Sequence, residues 1–566
     1  MPLEPAVKEK ISDLLKFIYA DKIDASFVQR LFREIKAQQK SSLQRESRWD
    51  EKDVILITYG DSIKTAEEKP LETLNQFCRT YLHDVFSIIH ILPFFPYSSD
   101  DGFSVIDYKH VNPELGDWSH IAKLRNNFDL MFDLVINHVS QHSEWFQNYL
   151  RGESPGVDYF IEANPLEDLS QVVRPRSLPL LTPFQTGRGK KYLWTTFSND
   201  QIDLNFGNPK LLFEMIKVLL LYLQLGARIL RLDAIAFLWK EKNTTCLHLP
   251  QAHAVVKLLR LLMHAVCPQS ILLTETNVPN AENLSYFGEN DEAHMVYQFS
   301  LPPLLLHALH SGNSSYLTQW AQTIPDQRPH GTYLNFTASH DGIGVRPLEG
   351  LLPKDEKKSL LEKMQEFGGR ISVKNNADGS SSPYEINISL YDALKGTRHG
   401  ADEFHIERFL CSQTIMMTLQ GIPAFYIHSL LGTENDLESV KETGRARSIN
   451  RKRWNRDELL KRLETDRDHH HIIFKELKRL IKIRREQPAF SPNAGQNVID
   501  AGEAFFVVER RSVGDEQQIL SISNLTSQLQ EYEIDSTNAR DLISGERCRS
   551  NTLRVKPYQT MWLAIQ

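Results

Sequence analysis

The stretch RILRLDAIAF, residues 228–237, decides the fold expected for this chain. Its apolar core is typical of a strand that is buried on both faces of a parallel sheet. Helical patterns lie between this run and its neighbours, for example at 211–225 and 252–266. The alternation predicts βαβ units. Five further short apolar runs lie at 54–58, 88–92, 130–136, 271–274 and 334–337.

The number of these units favours an α/β fold of the (β/α)8 barrel type over a doubly wound sheet. No GxGxxG motif follows any of the runs, so a dinucleotide-binding fold is disfavoured. Two segments, near 145–205 and 353–400, have few periodic positions and read as loop insertions. In a barrel, insertions that follow strands lie over the catalytic face.

The chain divides into three predicted regions. Residues 1–52 carry apolar positions at helical spacing and are expected to form an N-terminal helical extension. Residues 53–490 hold the barrel with its two insertions. From 491 to 566 the pattern changes to short alternating strands, which predicts a C-terminal antiparallel β domain.

Composition excludes several classes of partner. The chain has 566 residues, a net charge of -7 and interspersed charges, so neither nucleic acid nor a membrane surface is an expected partner. The five cysteines lie far apart and form no CxxC, which argues against disulfides and zinc. A reducing cytoplasm fits this usage, and no signal peptide is evident. We expect no metal or cofactor, and a monomer or a homodimer.

Polar and charged residues occur where the apolar runs end, at the position where barrel enzymes place their catalysts. A single polar residue at the end of a strand usually caps a loop. Polar and charged residues at four successive strand ends indicate a catalytic site. The set consists of Asn137 with His138, Arg231 with Asp233, Glu275, and His340 with Asp341.

These residue types suit glycosyl transfer with retention of configuration. That reaction needs one carboxylate to attack the anomeric carbon and one protonated carboxyl group to assist the leaving oxygen. Arg231 lies two residues before Asp233, so both side chains share a strand face, and the guanidinium should keep Asp233 ionised for attack. A desolvated Glu275 would have a raised pKa and could hold the proton. Asp341 can bind sugar hydroxyls.

The four segments resemble the signature regions of the α-amylase superfamily. Seven longer stretches resemble its sucrose phosphorylase branch, and the resemblance covers residues 53–490. The stretches are LITYGDSI from 56, HILPFFPYSSDDGFSVIDY from 90, VVRPRSLPLLTPF from 172, YQFSLPPLLLHAL from 297, ASHDGIGV from 338, QGIPAFYIHSLLG from 420 and SINRKRW from 448.

The resemblance implies a set of residue roles. Asp233 would be the nucleophile, Glu275 the acid/base and Asp341 the transition-state stabiliser. In that branch phosphate, not water, resolves the glucosyl-enzyme, so phosphate is the expected co-substrate. Contacts to phosphate are implied for Arg176 and Tyr384. Contacts to the sugar are implied for Asp100, Phe103, His138, Arg231, His340 and Arg451.

Three departures from the sucrose phosphorylase pattern concern the acceptor. Phe237 stands where Tyr is usual, Asn277 where His is usual, and Tyr384-Glu385 where Tyr-Gln is usual. Phe237 and Asn277 therefore join the expected substrate contacts. The departures favour a small α-glucoside, with 2-O-α-glucosylglycerol first and glucosylglycerate next. Sucrose or sucrose 6-phosphate phosphorolysis, an α-glucosidase or transglucosidase, and a non-catalytic carbohydrate-binding protein are the alternatives.

Overall fold

Eight parallel strands close into a barrel at the centre of the computed structural model. Residues 4–38, 45, 47–175, 178–375, 380–535 and 538–565 are described. In chain order the barrel strands are β1 (Ile55–Thr58), β2 (Ile88–Ile91), β3 (Asp129–Val135), β4 (Ala227–Asp233), β5 (Ile271–Thr274), β6 (Met295–Tyr297), β7 (Thr332–Phe336) and β8 (Ile422–Tyr426).

The predicted (β/α)8 barrel is thus confirmed, but two of its strands were not recognised in the sequence. β6 has only three residues, too few for a periodic signal. β8 follows Gly421 and contains Pro423, which are residues that usually interrupt strands. Both strands pair with β7, and β8 closes the barrel against β1.

Helices cover the outside of the barrel. Several begin with proline in the first turn, where the missing N–H costs nothing. Pro209 is an example, and the preceding Asn208 side chain accepts a hydrogen bond from the Lys210 amide. The main barrel helices are Pro70–Tyr81, Trp118–Arg125, Pro209–Gln224, Pro250–Val266, Leu301–Ser311, Ser315–Gln322, His405–Thr418 and His469–Arg485.

Two helices precede the barrel, Pro5–Tyr19 and Ala25–Gln38. They pack against Pro209–Gln224 and Pro250–Val266. The buried Tyr19 hydroxyl donates to the Phe206 carbonyl at 2.9 Å. None of the helices in the described part of the chain is both long and apolar enough to cross a membrane.

Both insertions lie over the carboxyl ends of the strands. The first contains the helix Glu144–Arg151 and three strands, Leu181–Thr186, Gly189–Trp194 and Gln201–Asp203. The second contains the helix Lys354–Glu366 and the strands Arg370–Asn375 and Ser381–Asn387. Ser381–Asn387 also pairs with Ile343–Gly344, just after β7, so the second insertion is joined to the catalytic face.

Shorter helices complete the loops, at Asn280–Leu284, Leu390–Ala393, Ile427–Leu430, Leu437–Thr443 and Arg456–Leu463. At the C-terminus, an antiparallel sheet has the strand order Gly495–Ile499, Phe505–Arg511, Gln518–Asn524, Thr560–Ile565 and Ala539–Asp541. A second pair of strands is Gln530–Glu533 with Thr552–Val555. Trp562 anchors the sheet to the barrel, since its indole N–H donates to Thr418 Oγ1 at 3.0 Å.

Candidate active site

Arg231 organises the carboxylates at the carboxyl end of β4. The register of β3 and β4 places Asp133 directly opposite Arg231. The Arg231 Nη1 group donates to Asp133 Oδ1 at 2.5 Å and to Asp233 Oδ1 at 2.9 Å. Nη2 lies 3.9 Å from Glu275 Oε2. One buried guanidinium therefore gathers three carboxylates, and Arg231 and Asp233 share a strand face as expected.

Burial raises the pKa of both Asp233 and Glu275 to about 7. The expectation for Asp233 has to be corrected, because the attraction of Arg231 does not offset its desolvation and the charge of nearby Asp133. The direct hydrogen bond from Arg231 still favours the ionised form of Asp233. Glu275 lies farther from the guanidinium, with 3.9 Å between Arg231 Nη2 and Glu275 Oε2, so its ionised form receives less support from Arg231.

Asp341 has the opposite electrostatic environment. Burial alone would raise its pKa, but Arg447 Nη1 lies 2.6 Å from Asp341 Oδ1 and keeps that pKa far below its usual range. His340, the preceding residue, stacks on the Phe103 ring with 4.7 Å between ring centroids. Burial lowers the pKa of His340 to about 3, so its imidazole is neutral at any working pH.

A pocket of about 630 Å³ opens over these groups. Two of the predicted site residues, Arg231 and Arg451, do not line this pocket, and Arg176 lies outside the described residues. The predicted site residues that line the pocket are Asp100, Phe103, His138, Asp233, Phe237, Glu275, Asn277, His340, Asp341 and Tyr384.

The turn that carries Asp100 is strained. Asp100 and Asp101 both have positive φ, 52° and 48°, which non-glycine residues seldom adopt. Arg451 Nη1 lies 2.6 Å from Asp101 Oδ2 and 3.7 Å from Asp100 Oδ1, so the predicted Asp100–Arg451 pair includes Asp101. The Arg451 Nε group also donates to the His340 carbonyl at 2.8 Å.

Asp200, from the first insertion, holds this turn in place. Its Oδ2 atom accepts from the hydroxyls of Ser98 at 2.6 Å and Ser104 at 2.9 Å, and also from Ser99. Ser98 and Ser99 directly precede Asp100. We call this group, Asp200 with Ser98, Ser99 and Ser104, the serine clasp.

Phe237 and Asn277, the two predicted acceptor contacts, both line the pocket. Phe237 packs edge-on against Phe197, with ring centroids 5.4 Å apart. Asn277 faces Gly344, where an added Cβ would lie 2.4 Å from Asn277 Oδ1. That Oδ1 atom is buried and has no hydrogen-bond partner among the described residues. A substrate hydroxyl could therefore donate to it.

Arg447 and Glu385 form an ion pair at this side that sequence reasoning missed. Arg447 donates to both carboxylate oxygens of Glu385, through Nε to Oε2 at 3.1 Å and through Nη2 to Oε1. Since Arg447 also contacts Asp341, it links the predicted phosphate loop to the predicted stabiliser. The two partners are 62 residues apart, so only the SINRKRW resemblance, which begins at the next residue, pointed near Arg447.

Sequence analysis also missed Asp133, although a charged residue inside an apolar strand is a recognisable signal. It is a charged residue in the middle of the buried run DLMFDLV, with no exposed side-chain surface. Its other oxygen, Oδ2, lies 2.7 Å from His90 Nε2. A buried charge in an apolar strand usually has a partner, and here the partners are His90 and Arg231.

Groups of the kind that bind cations lie beside the pocket and elsewhere in the described part of the chain. Beside the pocket, the buried Lys240 ammonium lies 2.7 Å from Asp203 Oδ2 and donates to Asn137 Oδ1 at 2.6 Å, so a protein cation satisfies these oxygens. Among the described residues, one group of metal-ligand type has its atoms within 4.8 Å of one another, and it does not line the pocket. The group is Glu434, His469 and His470.

Comparisons with known proteins agree with this geometry. The family described as "Alpha amylase, catalytic domain" matches residues 80–342. The chain is 44% identical to a glucosylglycerate phosphorylase of Escherichia coli, over 98% of this chain and 100% of that protein. It is 29% identical to a glucosylglycerol phosphorylase of Marinobacter adhaerens, over 77% of this chain and 88% of that protein.

A solved structure is also similar. The crystal structure of sucrose 6F-phosphate phosphorylase from Thermoanaerobacter thermosaccharolyticum aligns with a TM-score of 0.74 and 26% identity, covering 89% of this chain and 98% of that one. Fold and site define a (β/α)8 enzyme whose pocket gathers three carboxyl groups, those of Asp233, Glu275 and Asp341. The chain belongs to the α-amylase family, in its sucrose phosphorylase branch.

Proposed function

We propose that this protein reversibly phosphorolyses glucosylglycerate to α-glucose 1-phosphate and glycerate, with retention of configuration. The observation that carries the proposal is the 44% identity to a glucosylglycerate phosphorylase over nearly the whole of both chains. The matched length spans both insertions as well as the barrel strands.

The sequence identities also favour glycerate over glycerol as the acceptor. The similarity to a glucosylglycerol phosphorylase is 29% and covers 77% of this chain. This reverses the order inferred from the sequence, where glycerol came first because a neutral acceptor needs no dedicated cationic clamp. Arg447 in the pocket weakens that reason, because it is a cation that sequence reasoning had not placed there.

In the proposed first step Asp233 attacks the anomeric carbon, and Glu275 gives its proton to the glycosidic oxygen. Glycerate leaves, and C1 of glucose is bound to Asp233. The hydrogen bond from Arg231 to Asp233 supports these roles, and so does the raised pKa of Glu275. In this proposal Asp341, kept ionised by Arg447, stabilises the oxocarbenium-like transition state.

In the second step a phosphate oxygen attacks C1 from the side that glycerate left. Glu275 takes the proton from phosphate, the bond from C1 to Asp233 breaks, and α-glucose 1-phosphate is released. Tyr384 lines this part of the pocket. The phosphate contact of Arg176 stays a prediction from the sequence.

The test is to incubate the purified protein with phosphate and, separately, glucosylglycerate, glucosylglycerol or sucrose. We expect α-glucose 1-phosphate to form fastest from glucosylglycerate. Faster formation from glucosylglycerol would favour glycerol as the acceptor. Free glucose as the sole product, with or without phosphate, would contradict phosphorolysis and favour a hydrolase.

A further inference from the structure

We infer that Arg447 binds the carboxylate of glycerate and then phosphate, and that Glu385 is an internal anion that competes with both for this guanidinium. The inference rests on the proposed function and deepens it, because it assigns the recognition of the anionic acceptor to one ion pair. It also predicts in which direction affinity changes when Glu385 loses its charge.

The first argument is the position of Arg447. Among the described residues that line the catalytic pocket, Arg447 is the only arginine or lysine. It also lines a second, outer cleft, together with Arg445 and Ser372. The two cavities share four lining residues, and Arg447 is the one with a positive charge, so its guanidinium lies where the catalytic pocket joins the outer cleft. The other three are Asp100, Phe197 and Gln201.

The second argument is the charge around the pocket. Its lining includes the carboxyl groups of Asp100, Asp233, Glu275, Asp341 and Glu385. An anionic acceptor that enters such a pocket is repelled unless a cation offsets the field. A planar guanidinium is well suited to this task, since it binds carboxylate and phosphate through paired hydrogen bonds. A neutral acceptor such as glycerol needs no such offset.

The third argument is the way in which Arg447 is held. Its contacts with Glu385 have the paired geometry that a bound carboxylate or phosphate would also use. Glu385 is buried, with 1% of its surface exposed, on the strand Ser381–Asn387 beside Tyr384. Glu385 therefore presents, from the protein itself, the same chemical group that glycerate would bring. An anion that binds the Nε–Nη2 edge of Arg447 must displace Glu385 from it.

The decisive variant is Glu385→Gln, which removes the charge and keeps the size of the side chain. With α-glucose 1-phosphate as donor, we expect the KM for glycerate to fall by about tenfold while the KM for glycerol stays constant. In the forward direction the KM for phosphate should fall as well. Glu509→Gln is the matched control, because Glu509 pairs with Arg511 in the C-terminal sheet, away from the pocket.

Arg447→Lys supplies the second variant. Lysine keeps the charge beside Asp341 but cannot make paired contacts. We expect the ratio of kcat/KM for glycerate to kcat/KM for glycerol to fall by about tenfold, whatever the loss in absolute rate. This ratio tests the inference even if Glu385→Gln does not fold.

Two results would overturn the inference: an unchanged or raised KM for both anions in Glu385→Gln, or an unchanged acceptor ratio in Arg447→Lys. Titration of inorganic phosphate alone into wild type and Glu385→Gln separates this inference from the proposed function. If the wild-type protein does not use glucosylglycerate, tighter phosphate binding by Glu385→Gln would still support the competition at Arg447. Equal or weaker binding would refute it.

Discussion

Arg228 and Arg231 lie three residues apart on β4, and both are buried, yet they serve opposite ends of the barrel. At the amino end, Arg228 binds Asp53 through two hydrogen bonds, of 2.8 and 2.9 Å, and Asp129 through a third, of 3.1 Å. Arg45 lies 3.3 Å from Asp53. Two guanidinium groups thus face two carboxylates.

At the carboxyl end of β4, the guanidinium groups and the carboxyl groups are not equal in number. Among the described residues, Arg231 is the one guanidinium in contact with Asp133, Asp233 and Glu275, and Asp133 also contacts His90. Burial would raise the pKa of Asp53 too, but its guanidinium partners hold that pKa below the usual range. The same burial raises the pKa of Asp233 and Glu275 to about 7. The comparison teaches that charge balance, not the type of residue or its burial, decides whether the pKa of a buried carboxyl group falls or rises.

The largest expected effect is at the carboxyl end. Asp233→Asn removes the proposed nucleophile, so kcat for α-glucose 1-phosphate release should fall by about 10⁴-fold or more. The unfolding midpoint in urea should stay equal or rise, because a desolvated carboxylate is removed. A loss of stability together with activity would contradict the contrast between the two ends.

At the amino end the expected effect is on stability. Arg228→Met leaves the buried Asp53 carboxylate without its main partner, which should cost about 3–5 kcal/mol in the free energy of unfolding. The kcat of the protein that remains folded should match wild type. Urea unfolding and activity at low temperature measure the two quantities. The double variant Asp53→Leu/Arg228→Met should recover much of the lost stability. If the losses of the two substitutions add up instead, Arg228 and Asp53 do not stabilise each other.

The proton shared at the carboxyl end predicts a bell-shaped pH profile centred near pH 7. Below about 7 Asp233 takes up a proton and cannot attack, and above about 7 Glu275 has lost the proton that it must give. Each limb should approach about a tenfold change in kcat/KM per pH unit. With α-glucosyl fluoride, whose leaving group needs no proton, the alkaline limb should disappear. If it persists, Glu275 is not the acid.

The smallest effect concerns the serine clasp. Asp200→Asn weakens the hydrogen bonds that hold the strained turn of Asp100 and Asp101, so we expect KM for the glucoside to rise by about tenfold with kcat little changed. The unfolding midpoint should shift by less than that of Arg228→Met. Glu509→Gln serves as the control for a distant carboxylate. A fall in kcat at constant KM would place the clasp in the chemical step instead.

Much of the fold could be predicted from the sequence because the signals are local. Six barrel strands are apolar runs, and the helices between them show a period of 3.6 residues. β6 and β8 lack such signals, since one is very short and the other contains proline. Their place is decided by closure of the barrel, which requires partners for β7 and β1.

The candidate site likewise has one part that the sequence predicts and another that only the packed chain shows. The sequence by itself predicted Asp233, Glu275 and Asp341, because each lies at or just after the end of a recognisable strand, and the carboxyl ends of the strands face the same side of a barrel. Only the tertiary structure decided which charges meet. Glu385 and Arg447 are 62 residues apart, and Ser98 and Asp200 are 102 apart. The pKa of a buried carboxyl group depends on such partners and on desolvation, and both arise only when the chain is packed.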